Sequence, residues 1–125
     1  MRLNHLDLHV SDVIATRDFF TTFFDFTLIE TRGTNGLAIL SDDAGLELVI
    51  SRPVAKFGSA DAESVGAHTY HIGFKLADRA DVDQQYMRLK VGGVDMPDEP
   101  RELRGGWMFY CIAPGRVLVE VSCRS

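Results

Sequence analysis

His5-Leu-Asp-Leu-His-Val-Ser-Asp12 and His71-Ile-Gly-Phe-Lys-Leu-Ala-Asp78 are two copies of one octet, 66 residues apart in a chain of 125 (71 − 5 = 66). Each copy opens on a histidine, carries apolar residues at its second, fourth and sixth positions, and closes on an aspartate. That alternation has the two-residue period of a strand with one buried face. The closing aspartate is a residue type that caps helices, so each octet reads as a strand handing over to a helix.

Working outward, Val13, Ile14, Phe19, Phe20, Phe23 and Phe24 fall near three-four spacing and predict a helix whose apolar stripe lies on a sheet. Short strands follow around residues 26–30, 37–40 and 46–50, separated by the turn signals Arg32-Gly-Thr-Asn-Gly36 and Asp42-Asp-Ala-Gly45. The second half repeats the order. Val82, Tyr86, Leu89 and Val91 mark a helix that Gly92-Gly93 ends. A weak edge strand over 94–103 is broken by Pro97 and Pro100, a strand over 107–112 turns at Pro114-Gly115, and a last strand runs over 117–123. The expected organisation is a single domain, 1–125, of two modules at about 1–52 and 68–125. A linker at 53–67, rich in Gly, Pro and small polar residues, joins them and is a candidate flap.

Lys+Arg is 13 against Asp+Glu 18, a formal net charge of −5, and there is no basic stripe interleaved with aromatics, so nucleic acid is an unexpected partner. No apolar run reaches the length that crosses a bilayer, and no leader pattern opens the chain, so a cytoplasmic protein with no membrane partner is expected. Cys111 and Cys123 fall out of register on neighbouring strands, which fits a reducing compartment.

Each half also closes on an apolar strand interrupted by one carboxylate, Glu47 in Leu46-Glu-Leu-Val-Ile50 and Glu120 in Val117-Leu-Val-Glu-Val121. A carboxylate among apolar neighbours needs a partner. A solvent-facing position, or an arginine such as Arg52, Arg101 or Arg116, accounts for either one alone. A lone strand histidine is likewise explained by satisfied packing. Under a pseudo-twofold relation, however, His5 and His71 hold equivalent places on first strands, and Glu47 and Glu120 on last strands. Two imidazoles and two carboxylates then converge, a donor set that suits a divalent ion such as Ni, Co, Mn, Fe or Zn. His9, His68, Tyr70, Tyr110 and Trp107 read as loop, rim or packing residues. No Ser-His-Asp spacing, phosphate-binding glycine loop or paired-Cys motif occurs.

In this order and spacing, Asn4-His5-Leu6, Val10-Ser11-Asp12, Phe19-Phe20, Leu46-Glu47-Leu48, His71-Ile72-Gly73-Phe74 and Ala113-Pro114-Gly115 followed by Glu120 resemble the vicinal oxygen chelate superfamily. This is the glyoxalase, bleomycin-resistance and extradiol dioxygenase group, and the resemblance runs from Leu3 to Cys123. It implies an α+β fold of two paired βαβββ modules, forming a curled mixed sheet around a central cleft with helices outside. It also implies a homodimer, with a site that residues of both subunits can build. His5, Glu47, His71 and Glu120 match the four-ligand pattern of glyoxalase-type enzymes. Extradiol dioxygenases and fosfomycin-modifying enzymes resemble the chain at three of these positions. Two departures stand out: Phe24-Asp25-Phe26 where relatives carry Leu-Gly, and Ala113-Pro114-Gly115 where they carry Asp-Pro-Asp-Gly.

The expected function is a divalent-metal-dependent, glyoxalase-like lyase, isomerase or epimerase acting on a small substrate held through adjacent oxygens. Glu120 and Glu47 are the candidate catalytic proton carriers. The rivals are an extradiol-type dioxygenase and a non-catalytic protein that sequesters a small molecule.

Overall fold

Two aspartates start the two helices. In the computed structural model, which describes residues 1–52 and 70–124, Asp12 accepts the Ala15 amide at 3.0 Å at the head of α1 (Val13–Phe23). Asp78 accepts the Asp81 amide at 2.9 Å at the head of α2 (Arg79–Val91). Each side chain satisfies an N–H that the first helical turn leaves without a partner.

Each helix is the crossover between parallel strands. β1 (His5–His9) precedes α1, and β2 (Thr27–Arg32), β3 (Leu37–Ser41) and β4 (Glu47–Ser51) follow it. β4 returns beside β1 in parallel, giving a four-stranded mixed sheet of order β1-β4-β3-β2. The second module repeats this: β5 (His71–Lys75), α2, then β6 (Arg101–Leu103), β7 (Gly106–Ala113) and β8 (Val117–Arg124), in the order β5-β8-β7-β6. Parallel strands cannot be joined by a tight turn, so the helix and the hairpin strands between them are the connection that geometry requires. The paired βαβββ expectation is met.

Alternation decides the faces. Leu8, Ala38, Leu40, Leu48 and Ile50 are buried from the first sheet, with Val13, Thr16, Phe19 and Phe20 of α1. Phe109, Cys111, Val119, Val121 and Cys123 are buried from the second, with Val82 and Leu89 of α2. Burial pushes the Cys111 thiol up to about 12, so it stays protonated at neutral pH and is no nucleophile. His5, Asp7 and His9, and His71, Gly73 and Lys75, belong to the opposite faces.

The modules meet at an aromatic seam. The Phe74 ring of β5 lies 4.6 Å from Phe24, 6.0 Å from Phe26 and 6.5 Å from Phe20, centroid to centroid. Gln85 of α2 donates to the Phe23 carbonyl at 2.6 Å. A Cβ on Gly92 would fall 2.4 Å from the Phe23 ring, so only glycine lets the end of α2 come this close to α1. Asp25, the residue that departs from Leu-Gly, takes a left-handed φ of 59° just past α1, where glycine is usual. Arg88 reaches across from α2 to hold it, at 2.8 and 3.2 Å to its carboxylate and 2.5 Å to the Thr22 carbonyl. Arg88 holds the Asp25 carboxyl below the usual carboxylate range, chiefly by these hydrogen bonds.

One sequence expectation shifts. The strand expected over 94–103 shrinks to β6, preceded only by a bridge between Asp95 and Ile112, because Pro97 and Pro100 offer no N–H to a ladder. Trp107 packs under Arg79, 4.6 Å from guanidinium carbon to ring centroid, and its indole N–H donates to Asp83 at 2.8 Å, pinning α2 to β7. The expected linker at 53–67, with its flap role, and His68 lie outside the described residues.

Phe74→Ala removes the shared ring of the seam and is expected to destabilise the protein by about 3 kcal/mol in urea unfolding. Asp25→Asn keeps a residue that tolerates the left-handed turn but removes the charge. Because the Asp25 carboxyl is held low, its contribution is present above the carboxylate range and is lost as pH falls through it. For so exposed a pair the loss is expected to be under about 1 kcal/mol at pH 7, and wild type and variant should converge as the pH falls below the carboxylate range.

Candidate functional site

The register of the parallel pairs arranges the outer face of each sheet in rows. On the second sheet, His71 pairs with Leu118 and then Ile112; Gly73 pairs with Glu120 and then Tyr110; Lys75 pairs with Ser122 and then Met108. On the first, His5 pairs with Glu47 and then Ser41; Asp7 pairs with Val49 and then Ile39; His9 pairs with Ser51 and then Leu37. Successive rows lie about 7 Å apart along the strands.

His71 and Glu120 are diagonal neighbours on one face, a separation that a His–carboxylate pair can close on a shared ion. Gly73 makes the room: a Cβ there would sit 3.1 Å from Oε2 of Glu120. Tyr110 stands opposite Glu120, and its ring meets the His71 imidazole edge-on, 5.7 Å between centroids at 88°. His5 and Glu47, both exposed, stand directly opposite one another. With His5 Nδ1–H donating to Asn4 Oδ1 at 2.7 Å, Nε2 keeps its lone pair, the tautomer a metal-binding histidine needs.

The two halves are not equivalent at their carboxylates. Equivalent backbone hydrogen bonds, Val10 N–H to Ser51 O and Leu76 N–H to Ser122 O, align His5 with His71, Glu47 with Leu118, and Val49 with Glu120. The expectation that Glu47 and Glu120 occupy matching places is therefore corrected by two residues. The cause lies in the turns. Asp42 accepts the Ala44 and Leu46 amides and closes a tight turn that delivers Glu47 as the first residue of β4. Pro114-Gly115-Arg116 feeds β8 with three residues ahead of Glu120. In the row that holds Glu120 on the second sheet, the first sheet carries its carboxylate on β1, as Asp7, which accepts the Ser51 hydroxyl at 2.7 Å.

Neither Glu47 nor Glu120 has a hydrogen bond or ion pair among the described residues; Arg101 goes to Asp98 at 3.5 Å instead. Tyr70 is pushed up first by burial and then by the Asp7 charge, so it is a phenol at neutral pH and not a base. Among the described residues, no three His, Cys, Asp or Glu side chains come together in a group able to hold one ion. One chain thus offers donors in pairs, His71 with Glu120 and His5 with Glu47, of types that fit a divalent ion. Asn4, Gly73 and Asp7 were not singled out as functional in the sequence. Only the glycine left a signal there, as the third residue of an octet whose other copy has aspartate.

No curated protein matches the chain at a significant level. Among solved structures, a possible glyoxalase from Bacillus cereus is similar, with 32% identity and a TM-score of 0.80 over 98% of this chain and 99% of that one. A genomically encoded fosfomycin resistance protein from Listeria monocytogenes has 25% identity and a TM-score of 0.77, over 100% and 94%. The lactoylglutathione lyase of Agrobacterium tumefaciens, at 20% identity, shares the fold, with a TM-score of 0.75 over 98% and 92%. The model of the Glyoxalase/Bleomycin resistance protein/Dioxygenase superfamily matches residues 2–121. From that match, and from two capped βαβββ units carrying a first-strand histidine each, the chain belongs to this superfamily.

Proposed function

We propose that the protein is a divalent-metal-dependent, glyoxalase-like lyase, isomerase or epimerase that works as a homodimer on a small substrate presenting two adjacent oxygens. The observation that carries this reading is the His71–Glu120 pair on one sheet face, neither side chain having a hydrogen bond or ion pair among the described residues, with Gly73 leaving space for the carboxylate. His5, His71 and Glu120 hold the ion, and Glu47 is a fourth ligand or its close neighbour. When bound, the ion supplies Lewis acidity to the substrate oxygens.

The two-residue offset of Glu47 favours a division of labour. Glu120, confined beside Gly73, is the anchoring carboxylate. Glu47, exposed at the start of its strand, is the one free to take and return a proton. Tyr110, across from Glu120 and edge-on to His71, orients the imidazole by packing. The homodimer is supported by the pairing of donors: each sheet face of one chain holds half of the set, and a second copy supplies the other half.

Purified without chelator, the protein is expected to hold one equivalent of Mn, Fe, Co, Ni or Zn per chain. His71→Ala or Glu120→Gln should lower metal affinity at least about 10-fold, and Gly73→Val, which crowds the carboxylate, by about as much. Mixing His5→Ala with Glu120→Gln chains tests the shared site directly. Refolded together, they form heterodimers in which one site is intact, so metal content should recover towards a quarter of wild type. Recovery of none, with both variants folded and dimeric, would place all ligands in one chain and overturn the two-chain reading.

A further inference from the structure

One row past Glu120, the outer face of the second sheet becomes cationic. A concavity of about 450 Å³ is lined there by Lys75, Arg104, Arg124, Ser122 and Met108, with Glu120 at its edge. In a chain of net charge −5, none of these three cations has an ion pair or hydrogen bond among the described residues. Five other cations are in ion pairs, Arg17 with Asp18, Arg32 with Glu30, Arg79 with Glu102, Arg88 with Asp25 and Arg101 with Asp98, so what sets Lys75, Arg104 and Arg124 apart is that they gather at one concavity.

Two further observations point to a ligand. Ser122, at the centre of the cationic row, is only 6% exposed, yet its hydroxyl has no hydrogen-bond partner among the described residues and lines this concavity. The residue is packed but its hydroxyl oxygen opens onto the concavity, where it can donate to a ligand. The second is the hairpin at the rim. Leu103 pairs with Gly106, and both intervening residues have positive φ, 52° at Arg104 and 75° at Gly105. A two-residue turn of this kind favours Asn-Gly, whereas arginine is strained there. Arg104 nonetheless occupies the turn, and it lines the concavity.

We propose that this concavity is a subsite for an oxyanion, a carboxylate, phosphonate or phosphate group, at the far end of the substrate. The proposal rests on the metal reading of the His71–Glu120 face only for the identity of the other end. With rows about 7 Å apart, it defines the substrate class as a short anion whose charged group is separated by a few bonds from the two oxygens that would be chelated. Ser122 donates its hydroxyl hydrogen to the oxyanion, Lys75 and Arg124 flank it from β5 and β8, and Arg104 closes it from the hairpin.

The test is a titration of the full chain, metal-stripped and Zn-loaded, with inorganic phosphate and separately with succinate, followed by amide chemical shifts. Saturable shifts at Lys75, Arg104, Ser122 and Arg124 are expected with at least one of the two anions, and the tighter one distinguishes a tetrahedral from a planar group. Lys75→Met and Arg124→Gln should each weaken binding about 10-fold, and Ser122→Ala less. Arg17→Gln, on α1, should leave it unchanged. His71→Ala should lose metal but keep phosphate or succinate binding, which separates failure of the metal reading from failure of this one. Shifts that do not saturate with either anion, or that Lys75→Met and Arg124→Gln leave unaltered in folded protein, overturn the proposal.

Discussion

Parallel pairing of the first strand of each module with its last is the constraint on which the molecule rests. A parallel pair cannot close through a hairpin, so the chain must leave, build a helix and two more strands, and come back. That excursion sets His5 beside Glu47 and Gly73 beside Glu120, although each pair is more than forty residues apart in sequence. It also fixes which face each side chain serves. One step of slip between β5 and β8 would send Glu120 into the core with Val119 and Val121. The buried rows of Val, Leu and Phe therefore do more than stabilise the sheets: they lock the register that arranges the outer face.

The helices divide their work unequally. α1 is aromatic along its buried side and carries the seam to the second module through Phe20 and Phe24. α2 buries less, through Val82 and Leu89, and is held by polar contacts at its flanks: Trp107 with Asp83, Arg88 with Asp25, Gln85 with the Phe23 carbonyl. The Arg88–Asp25 contact compensates for a turn residue that is not glycine. What looks in the sequence like a departure from the family is a substitution of one physical device by another.

Much of the fold was legible because it depends on local rules: period two in the strands, aspartate at the helix caps, glycine and proline at the turns. The strand order was legible only through the resemblance, since pairing between distant segments leaves no local mark. The histidines of the octets were readable as equivalent because the repeat includes them. The carboxylates were not, because equivalence there depends on turn length, and a tight Asp42 turn against a Pro114-Gly115 turn moves the register by two residues. Ser122 and Arg104 escaped notice for a similar reason: one is an ordinary strand residue until its burial is known, the other an ordinary arginine until its φ is.

That two-residue offset makes the two sheet faces chemically unlike walls. One opposes a histidine to a carboxylate in the same row and sets Asp7 in the next; the other staggers its histidine and carboxylate and continues into lysine and serine. A molecule lying between such walls cannot be turned end for end without exchanging a cationic neighbour for an anionic one. An exact twofold repeat would accept a ligand equally in either end-for-end orientation. The unequal turns of this chain remove that equivalence, so that the two ends of an unsymmetrical ligand meet different surroundings.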